Sequence, residues 1–231
     1  MIIDRVILKQ RAKDAFRRNY GASVLVAFIF LIFCGSNVVQ IRTSLEEAGI
    51  HIPPVFISMA GLVMLVLSIF VFKVLEVGIY RFFVENRDYS APTSKMLFGF
   101  NCGHYSNIVG TMFLMNLKIS LWTMLFIIPG IIKTYEYKMV PYILAEQPDI
   151  SQKEAFSISR DMMMGYKSDA FILDLSFIGW EILSVFTCGI VGIFWTQPYV
   201  LATQAELYTT LRDEWMGRYN QAGPNMTGEN F

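Results

Sequence analysis

Gly21 to Val39 reads GASVLVAFIFLIFCGSNVV, and no charged residue lies between Arg18 and Arg42. A helix needs ~20 mostly apolar residues to cross ~30 Å of hydrocarbon, and this stretch is long enough. Similar stretches recur along the chain. Together they predict an all-α, multi-pass membrane protein.

Composition points the same way. Hydrophobic residues make up 54% of the chain and charged residues 16%, where a typical soluble domain carries about 25% charged. The 19 Lys and Arg are balanced by 19 Asp and Glu. A nucleic-acid partner is therefore not expected, because it would call for a basic face to neutralise phosphates. Cys34, Cys102 and Cys188 are far apart, with no C-x-x-C spacing, and read as small apolar packing residues. Asp4, Arg5, Lys9, Arg11, Lys13, Asp14, Arg17 and Arg18 make the start of the chain too charged for the apolar core of a cleavable signal peptide.

Charge-free stretches and turn residues predict six transmembrane helices. They are Gly21 to Val39, Pro54 to about Phe83, Ser106 to Ile128, Ile131 to Glu146, Asp169 to Thr187, and Gly189 to about Leu211. Pro129 and Gly130 are the expected structural turn between the third and fourth. Proline cannot extend a helical ladder, and glycine can take positive φ there. Cys188-Gly189 predicts a second tight joint. The fourth span opens on the polar run KTYEYK, which should face protein or water. Lys and Arg cluster before the first span, between the second and third, between the fourth and fifth, and after the sixth, whereas the opposite loops carry Arg42. The positive-inside bias then puts both termini in the cytoplasm.

Each basic cluster also precedes a predicted hairpin with a related pattern. Lys13-Asp14-Ala15-Phe16 leads to Gly21-Ala22-Ser23, Lys95-Met96-Leu97-Phe98 to Gly103-His104-Tyr105-Ser106, and Lys153-Glu154-Ala155-Phe156 to Gly165-Tyr166-Lys167-Ser168. Pro141-Tyr142-Ile143-Leu144-Ala145 and Pro198-Tyr199-Val200-Leu201-Ala202 match as well. The expected architecture is three hairpins, each preceded by a cytoplasmic amphipathic helix. They form one membrane domain, 1–217, with repeat units 1–83, 84–146 and 147–217 and a flexible cytoplasmic tail, 218–231. Ser151-x-x-Glu154 is a capping box that should start a helix at Ser151. Its apolar Ala155, Phe156, Ile158, Met162 and Met163 suit a helix lying in the membrane interface.

Ionisable residues inside predicted spans are the strongest functional signal, since each costs at least ~2.5 kcal/mol in hydrocarbon unless paired or hydrated. Lys118, Glu136, Glu146, Asp174 and Glu181 are the intramembrane polar candidates. Asn116, Gln197 and Gln204 are possible interhelical partners for them. Two readings stand: a polar pathway for an ion or small solute, and charge pairs that set helix register, the second favoured because buried pairs are often architectural. No G-x-S-x-G, H-E-x-x-H or Walker-type glycine loop occurs. Cys102-Gly103-His104 lacks the further ligands a metal site requires. No catalytic, metal or cofactor site is expected.

The runs FIIPGIIKTYEYKMVPYILAEQPDIS (Phe126 to Ser151), EAFSISRDMMMGYK (Glu154 to Lys167), LSFIGW (Leu175 to Trp180) and PYVLATQAELY (Pro198 to Tyr208) resemble the bacterial integral-membrane family called domain of unknown function 975. The N-terminal RAKDAFRRNYG is similar to that family's start. The resemblance implies a bacterial cytoplasmic membrane protein and carries over no catalytic residues. The expected function is a non-enzymatic scaffold or accessory subunit, with the bilayer and either a membrane-protein partner or a second copy as its contacts. The alternative is a transporter or channel for a small solute or ion that uses the buried charges.

Overall fold

The computed structural model describes residues 4–34, 54–187 and 189–222. Among them the regular structure is entirely helical. Helix α1 (Arg5–Arg18) begins at Asp4, whose Oδ1 accepts from the amides of Val6 at 2.9 Å and Ile7 at 3.3 Å. That satisfies two of the donors a helix start leaves open. Its apolar face, Leu8, Ala12, Ala15 and Phe16, is buried, chiefly against the last helix of the chain. The amphipathic pattern read from the sequence is therefore spent on protein packing. After Asn19, helix α2 (Tyr20–Cys34) leaves at 104° to α1.

Helices α3 (Pro54–Leu67) and α4 (Lys73–Asn86) are joined by a π-helical turn at Ser68–Phe72. The two parts meet different surroundings. Met59, Leu62, Val63 and Leu65 are exposed, whereas Val74, Val77, Ile79 and Phe82 in α4 have no exposed surface. A 3-10 turn at Thr93–Leu97 and the short α5 (Phe98–Asn101) fold back onto α4. Gly78 makes this possible, because a Cβ there would stand 1.9 Å from the Met96 carbonyl oxygen.

Helix α6 (Tyr105–Leu125) is followed by four short helices, α7 (Ile127–Glu136), α8 (Val140–Glu146), α9 (Gln152–Met163) and α10 (Lys167–Leu175). Then come α11 (Ile178–Phe186), a π-helical turn at Gly192–Thr196 and the long α12 (Gln197–Ala222). The Ser151 cap is present: its hydroxyl accepts from the Glu154 amide at 3.3 Å. The buried face of α9 is Ala155, Phe156, Ser159, Met162 and Met163. Helix α12 continues past Arg218 to Ala222, and the rest of the expected tail lies outside the described residues.

Six transmembrane helices in three hairpins are not what the chain forms. Among the described residues two helices, Met59–Asn86 and Tyr105–Leu125, are long and apolar enough to cross a membrane, or three if the bent α1–α2 pair counts as one span. The remaining apolar stretches are interrupted. The expected fourth span is α7 and α8 separated by a break over Tyr137–Met139, and the fifth is two nine-residue helices, α10 and α11. At 1.5 Å per residue a nine-residue helix is ~14 Å long, about half the hydrocarbon thickness. The expected sixth falls mainly on α12, which buries Thr203, Gln204, Glu206 and Thr209 among other helices.

The turn expected at Pro129 and Gly130 also moves. The chain reverses at Phe126, whose backbone is extended at φ −153° and ψ 137°. Pro129 then falls in the first turn of α7, where a helix has no use for its missing amide. Gly130 is helical and is not among the glycines of positive φ, which are Gly103, Gly165 and Gly189. Its lack of a side chain serves close packing instead, since a Cβ would lie 2.7 Å from the Cα of Thr123 in α6. The second expected joint does use left-handed backbone. Gly189 has φ 85°, and its amide donates to the Ser184 carbonyl at 2.8 Å.

Gly78→Ala should lower the melting temperature of the detergent-purified protein, by ~1–3 kcal/mol of stability, because the Met96 backbone must shift. Gly61→Ala, on the same long helix with nothing within 4 Å of the new Cβ, should be neutral or stabilising. Comparable melting temperatures for the two variants would contradict this account of the α4 packing.

Candidate functional site

The break between α7 and α8 exposes backbone groups that the helix would otherwise pair, and the side chains around it answer them. Ser159, in α9, donates its hydroxyl to the Glu136 carbonyl at 2.8 Å. The Glu136 side chain is itself buried and meets three cations. Lys133 lies at 2.7 Å one turn earlier in α7, Arg160 at 3.2 Å in α9, and Lys167 at 3.1 Å at the start of α10. Burial alone would penalise the charged carboxylate, but hydrogen bonds from Lys133 and Lys167 outweigh it and hold the Glu136 carboxyl below its usual range.

Across the same break, Asp174 of α10 is bound from three directions. Lys138 lies 2.7 Å away, the Tyr135 hydroxyl donates at 2.9 Å and Gln204 Nε2 of α12 donates at 2.6 Å. Burial pulls the Lys138 ammonium down from its ordinary value, and Asp174 opposes that pull. Burial and Asp174 together push the Tyr135 hydroxyl up. The far end of α8 carries Glu146, which accepts from the Tyr208 hydroxyl at 2.8 Å and pairs with Arg212. Tyr208 stacks on Tyr142 at 5.1 Å between ring centroids, and Tyr142 on Tyr80 at 4.3 Å. The Tyr80 hydroxyl in turn donates to Glu76 at 3.0 Å. A column of three tyrosines thus ties α4, α8 and α12 together, with a carboxylate at each end.

The candidates read from the sequence divide accordingly. Glu136 and Asp174 flank one break, and Glu146 lies at the other end of α8. Lys118 of α6 is close by, its ammonium 3.8 Å from the Phe156 ring centroid and 5.8 Å from that of Tyr137. This position over aromatic faces suits a cation. Glu181 stands apart, exposed on α11, and accepts from Gln197 Nε2 at 3.3 Å. Asn116 donates to the Met112 carbonyl of its own helix, whereas Gln204 does bridge between helices. Arg160, Lys167 and Arg212, which lie outside the predicted spans or at their ends, are the partners of Glu136 and Glu146. The i,i+3 spacing of Lys133 and Glu136 was the one local clue to this cluster.

These charges sit among short, apolar-faced helices. Ile127, Ile128, Ile131 and Ile132 of α7 and Ile182, Val185 and Phe186 of α11 are exposed. With the two long apolar helices, this arrangement defines a multi-pass helical membrane protein. Residues 124–214, which contain the whole break and its charge partners, match the family model described as "Protein of unknown function (DUF975)". No curated protein and no solved structure matches the chain. Among the described residues no group of three or more His, Cys, Asp and Glu side chains is placed to hold a metal ion.

Glu136→Gln would leave Lys133, Arg160 and Lys167 facing a neutral amide and should destabilise the protein by on the order of 3 kcal/mol. The folded carboxyl is held below its usual range, so its contribution is present at neutral pH and fades as pH falls through the carboxylate range. Thermal melts across that range should therefore converge for parent and variant on acidification. A constant gap at all pH values would exclude an ionised Glu136 as the source of the difference.

Proposed function

We propose that this protein is a non-enzymatic membrane scaffold or accessory subunit that packs against another membrane protein or a second copy of itself. The observation that carries the reading is the mutual pairing of the charges around α7 and α8, of which Glu136 is buried and Asp174 and Glu146 are half-buried. Glu136 is taken up by cations of its own helix and of α9 and α10, and Asp174 and Glu146 each by a cation and a tyrosine hydroxyl. Pairs of this kind set helix register and leave little to hand a moving solute. The cavity beside Glu146, Tyr208 and Arg212 has a volume of about 30 Å³, room for about one water.

A transport reading has one observation of its own. Three cations surround the single carboxylate of Glu136, and Lys118 adds another nearby. Such a surplus would attract an anion. Purified protein in lipid vesicles separates the two readings. A scaffold should pass chloride or phosphate no faster than empty vesicles, and anion flux that Lys118→Met abolishes would establish transport instead.

Orientation is part of the same proposal. Lys9, Arg11, Lys13, Arg17 and Arg18 favour a cytoplasmic α1, with the C-terminal end on the same side because α12 packs on α1. A cysteine introduced at the partly exposed Lys13 should resist an impermeant external thiol reagent in intact cells and react once the cells are opened. Labelling in intact cells would reverse the assignment.

A further inference from the structure

A second cluster of charge lies where α1, α12 and the end of α4 meet, away from the α7–α8 break. Arg11, Asp14, Ala15 and Arg18 fall on one side of α1 by their helical spacing. With Arg87 and Glu206 they line a cavity of about 270 Å³. Its donors are incompletely used. Arg18 donates to the carbonyls of Arg87 at 2.7 Å and Asp88 at 3.3 Å, and Arg87 Nε lies 3.5 Å from Glu206 Oε1. Arg11 is exposed and has no ion-pair partner among the described residues.

The acceptor side is more telling. Glu206 is 2% exposed, and its Oε2 is buried without a hydrogen-bond donor. A buried carboxylate oxygen left in this way is costly unless something supplies a proton donor, best a charged one. The cavity thus presents guanidinium groups for an anion beside a carboxylate that calls for a cation.

We propose that this cavity binds a phosphate ester carrying a protonated amine, of the phosphoethanolamine class, with the phosphate on Arg11, Arg18 and Arg87 and the ammonium on Glu206 Oε2. Arginine suits phosphate because its donors fork onto two oxygens at once. Three arginines face Asp14 and Glu206 on the cavity wall, and Asp88, 3.6 Å from Arg87 Nε, brings the surroundings close to neutrality, which suits a ligand that carries both a phosphate and an ammonium. Burial raises the Glu206 carboxyl, with Arg87 and Arg11 opposing. An ammonium on the unpaired oxygen would favour the ionised form further. The same chemistry is offered by a lipid headgroup and by the free compound, and either fits a cavity open to one side.

Titration of the full-length protein in detergent with O-phosphoethanolamine, inorganic phosphate and ethanolamine tests the chemistry. Nanodiscs of phosphatidylethanolamine or phosphatidylglycerol, followed by native mass spectrometry, test the lipid source. O-phosphoethanolamine should bind at least ~10-fold tighter than inorganic phosphate, the size expected for one charged hydrogen bond. Retention of phosphatidylethanolamine over phosphatidylglycerol would assign the site to the lipid, and binding of the soluble compound alone would assign it to the free ester. Glu206→Gln should erase the preference for the amine-bearing ligand. Arg11→Glu, at an exposed position, should weaken every phosphate-bearing ligand. Equal binding of phosphate and O-phosphoethanolamine, binding unchanged in Arg11→Glu, or no binding in either format would overturn the proposal.

Discussion

One carboxylate, Glu136, ties three helices together at a single point. Lys133 belongs to its own helix, while Arg160 and Lys167 come from α9 and α10. Each of these cations is partly exposed, whereas Glu136 is buried, so the carboxylate is the fixed point and the cations close over it. Ser159 completes the arrangement by accepting responsibility for the backbone: its hydroxyl occupies the carbonyl that the helix end leaves open. The α7–α8 break is tolerable for that reason. Without it α8 could not bring Tyr142 between Tyr80 and Tyr208, and the column linking α4 to α12 would be lost.

How much of this can be read from the sequence depends on the range of the interaction. The Ser151 cap was legible because both partners lie within one helical turn. The apolar stretches of 59–86 and 105–125 were legible because hydropathy accumulates over a span. Helix breaks at Tyr137–Met139 and Ser176–Phe177 were not, since neither contains proline or glycine and a hydropathy window averages across them. The partners of Glu136 in α9 and α10 and of Glu146 in α12 were hidden for a related reason. They come from other helices, and a charge outside an apolar stretch carries no local sign of the carboxylate that folding brings to it.

The reading of the glycines illustrates the same division. Gly130 follows a proline and invites the assignment of a left-handed turn, yet its role is to let α6 and α7 approach each other at Thr123. Gly103 and Gly165, at matching places in two of the similar sequence patterns, both have positive φ, 78° and 84°, just ahead of α6 and α10. Gly21, at the corresponding place in the first pattern, is helical within α2. Local sequence therefore marks a site where glycine matters, while the surrounding helices decide whether its use is conformational or steric.

The half-length of α10 and α11 has a consequence for the membrane itself. A pair of ~14 Å elements with exposed apolar faces matches roughly one leaflet of lipid, whereas the 28 residues of Met59–Asn86 extend for ~42 Å. Along the long helix only the first half, with Met59, Leu62, Val63 and Leu65, offers apolar side chains to lipid, because Val74, Val77, Ile79 and Phe82 are packed inside protein. The apolar surface the molecule turns outward is thus made of short segments about one leaflet deep, on α3 as on α10 and α11, and acyl chains that reach only to mid-bilayer are enough to cover each of them.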